Sequence, residues 1–153
     1  MKKFEFRLQR LLDIREAKER EIKNELAAIV AVQNREKMRQ EEYRSGIQQQ
    51  RDKFRAKMLG GRFSYNEAMM FERYVEFAHR VIKSQQEKID AMEPEIRKVR
   101  ERLVEASRDR RVVEKLRERK WNEYMYEYNR EVAKENDDMN QKLYLRRKIE
   151  ENA

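Results

Sequence analysis

Between Phe4 and Ile149 the chain offers one clear place to reverse direction, Gly60-Gly61 followed by Phe63-Ser64-Tyr65-Asn66-Glu67. Adjacent glycines stop a helix because, lacking a Cβ, they take left-handed backbone angles without strain. Ser64-x-x-Glu67 then reads as a capping box. The hydroxyl accepts from the Glu67 amide, the carboxylate accepts from the Ser64 amide, and Phe63 stands where a staple residue belongs. The pattern predicts an all-α fold: one domain over 1–153, a long antiparallel two-helix coiled-coil hairpin. Its first helix covers about 4–58, its turn 59–63, and its second helix about 64–150, which either kinks at Pro94, the reading its unbroken seam favours, or stops at Glu93 and restarts.

Composition agrees with a narrow seam rather than a compact core. Of the 153 residues 44% are charged and 39% hydrophobic, and the mean hydropathy is -1.22. Good helix formers dominate, with three Gly and one Pro. No Cys is present, which removes thiolate chemistry and zinc-thiolate sites and suits a reducing cytosol. The first residues are basic but carry no apolar signal core, and the longest apolar run, Ala27 to Val32, falls far short of the ~20 residues a bilayer requires. A soluble protein is expected.

In the first arm a seam is expected through Phe4, Leu8, Leu11, Arg15, Lys18, Ile22, Glu25, Ile29 and Val32, with Leu12, Leu26, Tyr43, Ile47, Phe54 and Met58 alongside. Charged members weaken it, although long alkyl stems can cover a seam while their ends reach water. The second arm keeps closer to heptad spacing in Ile82, Ile89, Met92, Ile96, Val99, Leu103, Ala106 and Val113, with Gln85 and Arg110 at the polar steps. Such regularity demands a partner helix.

A turn near residue 61 pairs residues whose numbers sum to about 122, over roughly 80 Å at the helical rise. Phe4 then falls opposite Glu118, and everything from Trp121 onward projects without an internal partner. That tail is rich in aromatic and apolar residues, as an interaction element would be. Arg7, Arg15, Arg108, Arg110, Arg111 and Arg119 gather with Trp121 at the same end, a combination favoured at interface centres. Past the turn, Phe71, Tyr74, Ala78, Val81 and Gln85 form one stripe with Met70, Phe77 and Ile82 beside it. This is more apolar surface than one two-helix seam uses; the surplus either broadens the seam around Phe54 and Met58 or meets another protein.

Catalysis fits poorly. The single histidine, His79, has no cleft around it and reads as a surface residue; Leu59-Gly60-Gly61-Arg62 lacks the spacing of a phosphate loop. Asp137 and Asp138 diverge by about 100° on a helix and do not converge on one metal ion. No enzyme activity, metal or cofactor is expected. The net charge of +8 invites nucleic acid, and from Arg97 to Lys120 eleven basic residues face five acidic ones. The acids are interleaved at helical spacing, which marks a solvated face or a surface for an acidic protein partner.

Phe4-x-Phe6-Arg7-Leu8-Gln9-x-Leu11-Leu12-x-x-Arg15 and Arg110-x-x-x-Glu114-Lys115-Leu116-x-Glu118-x-Lys120, with Asp137-Asp138 downstream, resemble the FliJ family of the bacterial flagellar type III export apparatus. Length and hairpin layout extend the similarity over essentially the whole chain. The resemblance implies a coiled coil similar to the gamma stalk of rotary ATP synthases, entering the hexameric export ATPase and promoting its assembly and activity. It also implies a link to the export gate protein FlhA, escort of export chaperones, and a cytoplasmic place at the inner membrane beneath the flagellum. On this sequence the ATPase-facing residues would be Phe4, Arg7, Leu8, Leu11, Leu12, Arg15, Glu114, Leu116, Arg119 and Trp121. The gate-facing stripe would be Phe71, Tyr74, Ala78, Val81 and Gln85. Two other readings compete: a coiled-coil scaffold unrelated to secretion, and a basic hairpin that binds nucleic acid.

Overall fold

The computed structural model describes residues 1–62 and 64–153, so the staple expected at Phe63 lies outside the described residues. Two long helices, α1 (Gln9–Leu59) and α2 (Tyr65–Glu151), pack against each other as an all-α hairpin. The chain divides into two compact units, Arg20–Glu105 around the turn and Met1–Glu19 with Ala106–Ala153.

At the turn the backbone closes a Schellman motif. The Arg62 amide donates to the Lys57 carbonyl at 3.2 Å and the Gly61 amide to the Met58 carbonyl at 3.3 Å. Gly61 has φ of 69° and is the one described residue in the left-handed region; Gly60 is not, because this motif needs a single such residue. The Glu67 amide donates to Ser64 Oγ at 3.3 Å, capping α2, while the Glu67 carboxylate reaches Lys57 at 3.4 Å.

Along α2 the seam follows the expected spacing. Ile89, Ile96, Val99, Ala106 and Val113 are buried, Ile96 most completely, and Gln85 is buried among them. The helix runs without interruption through Pro94, which lies on the exposed side between half-buried Met92 and buried Ile96. Along α1 one line of the seam keeps the expected positions, with Ile22 buried and Arg15 and Ile29 half-buried, and the other line is one residue out. It uses Leu12, Glu19, Leu26, Gln33 and Gln40 where Leu11, Lys18, Glu25 and Val32 were expected. Lys18, Glu25 and Val32 face solvent.

Polar cross-links explain the phase. Gln33 Nε2 donates to Glu93 Oε1 at 2.7 Å and to the Ile89 carbonyl at 3.5 Å. One heptad on, Gln40 Nε2 donates to Gln86 Oε1 at 2.9 Å and to the Ile82 carbonyl at 3.2 Å. Both glutamines thus read α2 in the same way, and a slip of one residue would bury both amides without partners. Apolar spacing alone could not reveal this, since Leu11 and Leu12 serve either phase.

In the other unit, Glu19 sits in the seam, accepts from Ser107 Oγ at 3.1 Å and is gripped by the Arg110 guanidinium, which also reaches Glu114. The hydrogen bond to Glu19, opposed by partial burial and aided by the charges of Glu19 and Glu114, holds the Arg110 charge more firmly than usual.

The phase predicts a difference between neighbouring leucines. Leu12→Ala empties a site 2% exposed and is expected to cost about 2–5 kcal/mol, whereas Leu11→Ala at a half-buried site costs about 1 kcal/mol or less. Urea unfolding followed by circular dichroism measures both; equal losses would refute the observed phase.

Candidate functional site

The first six residues are not helical, and α1 begins at Gln9 rather than near Phe4. A chain that is not coiled advances up to about 3.3 Å per residue against 1.5 Å in a helix, so this segment reaches farther along α2 than helical pairing allows. Phe4 therefore packs on Trp121, ring centroids 5.1 Å apart and nearly perpendicular, and on Tyr124 at 5.4 Å, reaching beyond Glu118, with which it lines a shallow cleft. The Met1 ammonium lies 3.9 Å from Glu131. Trp121 stacks on Tyr124 and Tyr124 on Tyr128, at 5.7 and 6.3 Å. The segment covers part of the surface expected to be bare, leaving Tyr124 and Met125 half-buried. From Tyr126 to Ala153 every residue is exposed.

The residues expected to face an ATPase fall into three sets. Arg7, Leu8, Leu116, Arg119 and Trp121 are exposed, and Arg7, Leu8 and Leu116 line a shallow cleft with Phe4, Phe6 and Lys120. Phe4 and Leu11 are half-buried. The others are occupied within the hairpin: Leu12 is in the seam, Arg15 Nη1 donates to the Asp109 carbonyl at 2.7 Å, and Glu114 holds Arg110.

The stripe beyond the turn divides likewise. Ala78 is completely buried and Gln85 nearly so. Phe71 stacks face to face on Phe54 at 4.9 Å, so part of the apolar surplus broadens the seam. Tyr74 and Val81 are half-buried and line a groove with Glu36, Arg39, Tyr43, Ser84 and Lys88. Glu36 Oε2 and Gln85 Oε1 are buried without hydrogen-bond partners among the described residues. Met70 and Phe77 stay exposed, Phe77 edge-on to Tyr43 at 6.4 Å.

Gly46, against the Tyr74 hydroxyl, is a residue that sequence reasoning missed. Its signal was a glycine inside an otherwise strong helix, where it costs roughly 1 kcal/mol against Ala. A Cβ at Gly46 would collide with the Tyr74 hydroxyl, whereas the ring carbon bearing that hydroxyl stays at 3.6 Å, an ordinary contact. The glycine is therefore a notch for one phenol. His79, Asp137 and Asp138 are exposed. Among the described residues no cluster of His, Asp or Glu could hold a metal ion, and no helix is long and apolar enough to cross a membrane.

The notch predicts a change of sign. Gly46→Ala alone displaces Tyr74 and lowers the unfolding midpoint; in a Tyr74→Phe background the same change gains about 1 kcal/mol from helix propensity. A double-mutant cycle by thermal denaturation reads the coupling, and purely additive effects would dismiss the notch.

Comparison with curated proteins and with solved structures gives no match. The family model described as flagellar FliJ protein matches residues 4–148 of the 153, a span that takes in the docked Phe4, both helices and most of the uncovered end of α2. The chain belongs to the flagellar FliJ protein family.

Proposed function

We propose that this chain, a component of the flagellar protein export apparatus by its family, acts without turnover of its own as a stalk that occupies the central opening of the hexameric export ATPase. The observation that carries this reading is the surface around the docked N-terminal segment. Exposed Arg7, Leu8, Leu116, Arg119 and Trp121 stand there, and Arg7, Leu8 and Leu116 line one shallow cleft. Arginine and tryptophan on a preformed scaffold suit a central binding patch. A chain of net charge +8 associates faster with an acidic pore lining, most strongly at low salt.

Binding that favours the assembled ring, or one of its states, over the others would promote assembly and bias the nucleotide cycle. Leu12, Arg15 and Glu114 contribute by holding the hairpin in register beneath that patch. The gate protein FlhA would meet the groove of Tyr74 and Val81 together with exposed Phe77 and Met70, with Phe71, Ala78 and Gln85 forming its support. Export chaperones are the remaining partners of the proposal, and its place is the cytoplasmic face of the inner membrane at the flagellar base.

Exposed arginines allow a clean test. Arg7→Glu with Arg119→Glu should leave helicity and the unfolding midpoint within error of the parent and reduce stimulation of the export ATPase about tenfold or more, the loss expected for hot-spot residues. Unchanged stimulation by the folded variant removes this surface from the ATPase contact. Tyr74→Ala is expected to weaken capture of the FlhA cytoplasmic domain while sparing the ATPase effect; loss of both would point to misfolding rather than to two surfaces.

A further inference from the structure

The uncovered end of α2 has a partner written into its own sequence. Val132, Glu135, Met139, Lys142, Arg146 and Ile149 step alternately by three and four, the spacing of a coiled-coil seam. All six are exposed, Met139 at 61% and Ile149 at 69%. Among the described residues none of their four polar or thioether side chains meets an ion-pair or hydrogen-bond partner in the chain. A six-position seam with nothing against it needs an occupant.

We propose that the occupant is the same segment of a second copy of this chain, lying antiparallel about a twofold axis near residues 140 and 141. In that register seam positions face each other when their numbers sum to 281, and each of the three distinct layers is complementary. Val132 meets Ile149, an apolar layer. Glu135 meets Arg146, an acid against a base. Met139 meets Lys142, whose alkyl stem can cover the thioether while its ammonium reaches Asp138 at the rim. The twofold axis repeats each layer, so two acid-base pairs and two apolar layers bracket the centre.

Orientation follows from the same residues. A parallel, in-register pair would set Glu135 on Glu135, Lys142 on Lys142 and Arg146 on Arg146, like charges in the seam at three levels. Shifting the antiparallel register by one heptad would break the Glu135 to Arg146 match. The hairpin already carries such an arrangement internally, since Glu19 in its seam is held by Arg110 between buried Leu12 and Ile22. The same chemistry that closes the hairpin is therefore presented outward, to another copy.

The pairing uses a surface separate from the cleft of Arg7 and Leu116, so it stands apart from the ATPase reading. With few apolar layers it is expected to be concentration-dependent and weakened by salt. Sedimentation equilibrium of the intact chain should show the apparent mass rising from 19.0 kDa toward twice that value as concentration increases, and falling back in high salt.

Glu135→Arg and Arg146→Glu should each abolish the rise, and an equimolar mixture of the two variants should restore it. Because the chain has no cysteine, single cysteines report the register. With oxidised glutathione, Val132→Cys mixed with Ile149→Cys should cross-link, while Val132→Cys alone should not, its two copies lying about 26 Å apart along the axis. A mass of 19.0 kDa at every concentration, efficient cross-linking of Val132→Cys alone, or no recovery in the mixture would each overturn the proposal. None of these results bears on ATPase stimulation.

Discussion

Register is the constraint on which the molecule depends, and buried amides set it. A two-helix seam of aliphatic side chains can slide by a residue at modest cost, because leucine and isoleucine fit many neighbours. Gln33 and Gln40 remove that freedom by donating to carbonyls and side chains of α2 one heptad apart. In the other unit Glu19, Ser107 and Arg110 do the same work with charge. The groove residues Tyr74 and Val81 and the cleft residues Leu8 and Leu116 occupy their places only because these polar contacts fix the pairing.

How far the sequence could be read follows from the same division. The turn was legible because Gly61 and Ser64 are residue types with few other uses at such spacing. The α2 seam was legible because its apolar residues recur without ambiguity from Ile82 to Val113. On α1 the line of Ile22 and Ile29 was legible, and the line that runs through Leu12 and Leu26 was not. Its buried positions include Glu19, Gln33 and Gln40, which a hydrophobic pattern scores as surface, and the choice among them is made by partners on the other helix. The candidate surfaces were visible as clusters, yet burial sorts their members: Ala78 and Leu12 support, Tyr74 and Leu8 present. Gly46 acquires meaning only once Tyr74 is seen above it.

The N-terminal segment shows how a small change in backbone form redraws a surface. Residues that spacing alone would place on a helical seam instead lie along α2 in non-helical form, and Phe4 shields Trp121 and Tyr124 that would otherwise be bare. The division between covered and uncovered α2 consequently falls near Tyr126. Below it the chain supplies its own cover; above it the seam residues from Val132 to Ile149 await another chain.

The Phe4 to Trp121 contact also equips the protein with an optical signal. Trp121 is the only tryptophan, so its emission comes from one known place: the edge of Phe4, the face of Tyr124 and a surface 45% open to water. Lifting the first residues from α2 would move that indole toward water, and covering it with a partner would move it the other way. The two events carry opposite spectral signs. Undocking and capture can thus be told apart in the unlabelled protein, in real time, by the colour of a single side chain.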